Sequence, residues 1–326
     1  MSVIIPFFNV EKFIEEAIVS VLAQTHRAWE LFLIDDGSTD KSSDVARRYA
    51  GKHPDKIFYL DHADHANKGK SASRNRGLLE ASGKYVAFLD ADDVWLSTIL
   101  EEQVAILESR PQAAMVYGPI QWWYSWTGDR EDLSRDYVEE LGVPSNAVIH
   151  PPGLLTLFLQ DRAAVPSDIL VRREIIDRVG GFEERFRTLY EDQVFYAKVC
   201  LAAPVFAADT CWYRYRQHED STCARAMITG EYFSARPVFL DWLERYLTDQ
   251  GVEDSALWQA LDREQWPYRH PATYRLLRRV TTREGITERI VRVEAALRRM
   301  RHVGAGVRGR SAYGSLGRGA GDRAEQ

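Results

Sequence analysis

The chain begins by alternating short, continuously apolar runs with stretches in which apolar residues return every three or four positions. Residues 2–6 read as a strand, after which Val10, Phe13, Ile14, Ala17, Ile18, Val21 and Leu22 recur at helical spacing. Further strands are predicted over 31–34, 56–60, 85–89 and 113–117, with helices over 40–49, 71–80 and 97–108 between them. Strands apolar on both faces and separated by helices predict an α/β body, a doubly wound and mainly parallel sheet. Ligands of such sheets collect beyond the carboxyl ends of the strands.

The pattern changes after residue 118. Residues 121–142 mix Trp122, Trp123, Tyr124 and Trp126 with acids and show no clear period, and Pro151-Pro152-Gly153 then breaks the chain. A short helix over 154–161, a strand over 168–171, a helix over 173–179 ended by Gly180-Gly181, and a helix over 191–203 follow. This suggests an α/β subdomain over 1–118, a mixed lobe over 119–225 closing on it, a helical extension over 226–301 and a Gly/Arg-rich, disordered tail over 302–326.

At 326 residues, 45% hydrophobic and 28% charged, the chain can bury a sizeable core. Cys200, Cys211 and Cys223 form neither a disulfide framework nor a zinc-ligand spacing. With no basic leader before Val3 and no uninterrupted membrane-length apolar stretch, a cytoplasmic location is expected. The net charge of −6 conceals an asymmetry: residues 269–326 sum to +9, leaving about −15 on residues 1–268. An acidic body argues against specific nucleic-acid binding. The basic segment 273–301, with Leu276, Leu277, Val280, Ile290, Val293 and Leu297, suits peripheral contact with an anionic membrane surface, or packing against the acidic body.

Two acidic loops fall at predicted strand ends. Asp35-Asp36-Gly37-Ser38-Thr39-Asp40 can accept hydrogen bonds from a base or ribose, or simply cap the next helix. Asp90-Ala91-Asp92-Asp93 places carboxylates at the rim of a core, where burial is costly without a counterion; a hard divalent cation would provide one. Between them Lys70 and Arg74 share one helical face and could meet a phosphate or a base. Glu191-Asp192 stands at a helix start, and Arg214, Arg216 and His218 alternate along an extended segment.

In order and spacing, this set resembles the family-two inverting glycosyltransferases of GT-A fold. The matched residues are Val3 to Asn9, Ile34 to Asp40, Ser73 to Gly77, Phe88 to Asp93, Gly180 to Phe182, Glu191-Asp192, and Arg216 with His218, together spanning about two thirds of the chain. The resemblance implies a metal-dependent transferase that moves a sugar from a nucleotide-sugar, a UDP-sugar first, to a hydroxyl of a glycan or lipid-linked glycan. By the same resemblance Pro6, Phe7 and Asn9 line the nucleotide pocket, while Asp35 and Asp36 hold the base and ribose side. Arg74 approaches the base or diphosphate, and Asp90 the ribose or outer metal shell. Asp92 ligates Mn2+ or Mg2+, and Arg216 and His218 contact the diphosphate, His218 alternatively the metal. Asp192 is the expected base and Glu191 its neighbour at the acceptor; Trp122 and Trp123 could stack on acceptor sugars or pack as a lid. The alternatives are a non-catalytic nucleotide-sugar or glycan-binding module and a sugar-phosphate nucleotidyltransferase. The second would need a phosphate-cradling loop after the first strand, where Pro6-Phe7-Phe8-Asn9 stands instead.

Overall fold

The computed structural model describes residues 1–274, of which 1–268 form one compact unit and 269–274 belong to a second. The basic segment 273–301, apart from its first two residues, and the tail 302–326 lie outside the described residues. In the first unit β1 (Ser2–Phe7), α1 (Ile14–Leu22), β2 (Glu30–Asp35), α2 (Ser42–Lys52), β3 (Ile57–Asp61), α3 (Lys70–Glu80), β4 (Tyr85–Phe88), β5 (Val94–Trp95) and α4 (Ile99–Ser109) come first. Then follow β6 (Met115–Tyr117), β7 (Ile120–Trp123), α5 (Arg130–Leu133), β8 (Tyr137–Val138), β9 (Ala147–Ile149), α6 (Gly153–Leu159), β10 (Leu170–Arg172) and α7 (Arg173–Val179). The series ends with α8 (Glu191–Ala202), β11 (Val205–Ala207), β12 (Tyr213–Arg216), α9 (Thr222–Thr229), α10 (Glu231–Asp249) and α11 (Ser255–Arg269).

The main sheet has eight strands in the order β3-β2-β1-β4-β10-β6-β11-β9. β10 and β9 run antiparallel to their neighbours, and the remaining pairs are parallel. Its central strands are apolar at successive positions because both faces are covered. Val3, Ile5, Leu31 and Leu33 enter one core with α1 and α4, while Ile4, Phe32 and Ile34 enter the other with α7 and α8. Parallel register places Phe7 beside Asp35, and Asp35 beside Asp61. The carboxyl ends of three strands therefore form one rim, joined through β4 by Asp90.

A second, four-stranded sheet, β5-β12-β7-β8, stands beside that rim. Its strands are two to four residues long, and they give the segment 121–142 the structure that periodicity alone does not reveal. Among the described residues no helix is long and apolar enough to cross a membrane.

Candidate active site

The loop after β2 is organised from within. Asp35 is fully buried; it accepts from Ser38 N at 2.8 Å, Tyr59 Oη at 2.9 Å and the Ser43 hydroxyl. It shapes the start of α2. Asp36, also buried, accepts from the backbone N–H groups of Lys68 and Gly69 at 2.7 and 3.0 Å, tying the loop before α3 to the end of β2. Its Oδ2 is engaged by Gly69 N, at 3.0 Å, and keeps acceptor capacity. Gly69 needs its positive φ of 93°, and a Cβ there would lie 2.8 Å from the Arg187 Cβ. Asn9 accepts from Thr39 N at 2.7 Å, while Pro6 and Phe7 are buried in β1.

The loop after β4 carries the acidic cluster. One carboxylate oxygen each from Asp90, Asp92 and Asp93 lies within 4.8 Å of the others. Their partners differ. Asp93 is held on both oxygens, by Tyr213 Oη at 2.6 Å and Arg216 N at 2.7 Å, a consequence of β12 pairing with β5. Burial, then the charges of Asp92 and Asp90, push its carboxyl well above the usual range. Asp90 is gripped by Lys70 at 3.2 Å and Arg74 at 3.0 Å; burial would raise its carboxyl, but these cations outweigh it and hold it at about 2. Asp92 Oδ2 lies 3.0 Å from His218 Nε2. That is about the spacing of two ligands at right angles around a cation with bonds of roughly 2.1 Å. His218 Nδ1 is buried with no hydrogen-bond partner among the described residues. Asp92 with His218, and Asp90 behind its two cations, therefore fit a hard divalent ion; Asp93 serves to fix the loop.

Arg216 braces the same loop. It is 2% exposed, donates to the Asp92 carbonyl at 2.7 Å and to Glu16 at 2.6 Å, and lies against Phe13, Trp123 and Trp126. Through these bonds Arg216 holds the acidic loop. Trp122 stacks on Tyr137 and meets Tyr215 edge-on, so both tryptophans pack within or against the small sheet.

The second carboxylate pair arrives by a different route. Asn75 on α3 reads the backbone of Phe182 at both ends, donating to its carbonyl and accepting from its N–H, each at 2.9 Å. Gly181 must lack a side chain here, since a Cβ would come 2.8 Å from Asn75 Oδ1. Ser71 donates to the Phe186 carbonyl at 2.5 Å and Lys70 N to Arg187 O at 2.8 Å. These bonds lay the segment 182–190 along α3 and deliver Glu191 to Arg74, 3.3 Å away. One cavity of about 130 Å³ is lined by Lys70, Arg74, Asp90, Asp93, Glu191 and Asp192 among others. Neither Trp122 nor Trp123 lines it. Asn75 lies inside the Ser73 to Gly77 motif, and with Ser71, Arg187 and Tyr213 it positions the site without belonging to the expected ligand set. Asn75 had a usable signal, standing one residue from Arg74 on the same short helix.

A family model described as Glycosyl transferase family 2 matches residues 2–180, more than half of the chain. The chain belongs to this family. As a family-two glycosyltransferase it is 35% identical over 158 residues to TuaG of Bacillus subtilis, a protein named for teichuronic acid biosynthesis. That match covers 48% of this chain and 54% of TuaG, so the chain spans about half of that relative. An uncharacterized glycosyltransferase of Nostoc sp. is 28% identical over 257 residues, covering 76% of this chain and 74% of that one. Among solved structures, TarS of S. aureus in complex with UDP-GlcNAc aligns at a TM-score of 0.59 with 18% identity, covering 88% of this chain and 77% of TarS. The mannosyltransferase PcManGT from Pyrobaculum calidifontis, in complex with GDP-Man and Mn2+, aligns at 0.56 with 18% identity, covering 96% and 81%. At such identities the likeness speaks to the fold, which is GT-A.

Proposed function

We propose that this glycosyltransferase moves a sugar from a nucleotide-sugar, a UDP-sugar first, to a hydroxyl of a glycan or lipid-linked glycan of the cell envelope, inverting the anomeric centre and using Mn2+ or Mg2+. The observation that carries the reading is the convergence of Asp90 and the Glu191-Asp192 pair on one cavity, from loops a hundred residues apart. Residues 1–118 are then the donor side and 119–225 the acceptor and catalytic side. TarS with UDP-GlcNAc and PcManGT with GDP-Man and Mn2+ supply the donor class by analogy, and TuaG the polymer class.

In this reading Asp36, through its remaining acceptor capacity, meets the base or ribose, with Asn9 and the ends of β1 and β2 shaping the pocket. Asp92 and His218 would hold the metal, which when bound would supply a Lewis acid to offset charge on the leaving diphosphate. Arg74 joins the donor loop to the acceptor side by bonding both Asp90 and Glu191. Asp192 takes the proton of the acceptor hydroxyl as that oxygen attacks from the face opposite the diphosphate. A single displacement of this kind inverts the centre. A panel of nucleotide-sugars assayed for Mn2+-dependent hydrolysis identifies the donor. With that donor, Asp192→Asn should bind UDP as the parent does and lose transfer by at least about a hundredfold; transfer persisting at the parental rate would remove Asp192 from the base role.

A further inference from the structure

Lys70 opens α3, and Arg74 follows one turn later; they hold opposite oxygens of Asp90, Lys70 on Oδ2 and Arg74 on Oδ1. The two cations are not equivalent. Arg74 has a side chain only 7% exposed, bonds Asp90 and Glu191 and lies over the Phe182 ring, so it is committed to joining two parts of the site. The Lys70 side chain is 31% exposed, and among the described residues its ammonium donates to Asp90 alone. An ammonium has three N–H donors, and two of them remain for use at the wall of the cavity. That cavity is also lined by Asp90, Glu191 and Asp192, and an entering polyanion needs a cation to answer whichever of these are ionised.

We propose that Lys70 is a donor-positioning cation, swinging from Asp90 onto the diphosphate and giving nucleotide binding a component that needs no metal. The inference rests on the nucleotide-sugar reading above and adds a residue to it. A compact charge on a flexible four-carbon stem suits this exchange, where a guanidinium fixed by two carboxylates does not. The departure strands no carboxylate, because Asp90 keeps its 3.0 Å bond to Arg74. Two cations on one carboxylate thus leave one free to move.

The experiment is calorimetric titration of the full-length protein with uridine, UDP and GDP, first in EDTA and then with Mn2+, for the parent, Lys70→Met and Lys70→Arg. The parent should bind its nucleoside diphosphate in EDTA, more weakly than with Mn2+. Lys70→Met should lose roughly tenfold or more of that metal-free affinity, the scale of one charge-assisted hydrogen bond. Uridine binding should not change, and Lys70→Arg should recover most of the loss. Parental metal-free affinity in Lys70→Met would overturn the proposal and leave Lys70 as a counterion of Asp90 only. So would a parent that binds the diphosphate solely with Mn2+, or an equal loss of uridine and diphosphate binding. A parent that binds neither UDP nor GDP under either condition would instead bring down the nucleotide-sugar reading, and this proposal with it. Thermal unfolding of each variant shows whether the comparison is between folded proteins.

Discussion

Burial, followed by the negative charge of Asp192, raises the Glu191 carboxyl to about 7, while Arg74 and Lys70 pull it down. Asp192 is raised as well, by burial against the lowering effect of Arg74. Both therefore hold protons more tightly than a carboxylate in water, whose ordinary value is about 4. A general base acts only when deprotonated, so transfer should climb with pH along an acid limb lying above that value. Arg74→Met removes a cation that lowers both groups, and the limb should move to higher pH. The position of the limb in a kcat/KM profile is the measurement, since its height also reflects the lost contact with Asp90; an unmoved limb would show that Arg74 does not set it. These environments were beyond the sequence. Asp35 and Asp36 stand side by side in the chain and read alike, yet the first is enclosed by Ser38, Ser43 and Tyr59 and the second by the backbone of the next loop. Which oxygen stays open to a ligand depends on those partners, and they come from other elements.

The longer elements were legible because their apolar positions repeat. The run 2–6 became β1, 31–34 became β2, and 173–179 became α7, which closes on Gly180 at a positive φ of 80°. The small sheet was not, because strands of two to four residues carry no period and their partners lie far along the chain: Arg214 pairs with Val94 and with Gln121. The same holds for the docking of segment 182–190 on α3, which depends on the side chain of Asn75. Asn75→Asp puts a second acceptor against the Phe182 carbonyl and gives up the donor. The cost should be roughly 1–3 kcal/mol, the range for leaving a polar group unsatisfied. Because Asn75 holds the part of this segment nearest Gly181 and Phe182, while Asp36 keeps its own bonds to Lys68 and Gly69, kcat should fall more than the affinity for UDP. Urea unfolding with steady-state kinetics checks both parts; equal losses of UDP affinity and kcat would mean that α3 itself had shifted.

At the scale of the whole molecule the deciding feature is charge. Residues 1–268 carry about −15 and residues 269–326 carry +9, so an anionic bilayer repels one part of the chain and attracts the other. Screening weakens both, over a Debye length of roughly 8 Å at physiological salt. Each basic residue close to such a surface contributes about 1 kcal/mol, and ten Arg fall within residues 269–301. Engagement of several of these Arg at once would supply an attraction of a few kcal/mol, on the order of 1 kcal/mol for each. If the acceptor is lipid-linked, as in the proposed function, attachment would convert a search in solution into one along a plane. The prediction is that full-length protein floats with vesicles containing anionic lipid at low salt, is released at about 0.5 M salt as the screening length shrinks, and ignores zwitterionic vesicles. A chain ending at residue 268 should stay unbound throughout. Binding that survives high salt, or that is equal on zwitterionic lipid, would replace electrostatic attachment with apolar insertion, and binding by the shortened chain would move the contact onto the compact unit itself.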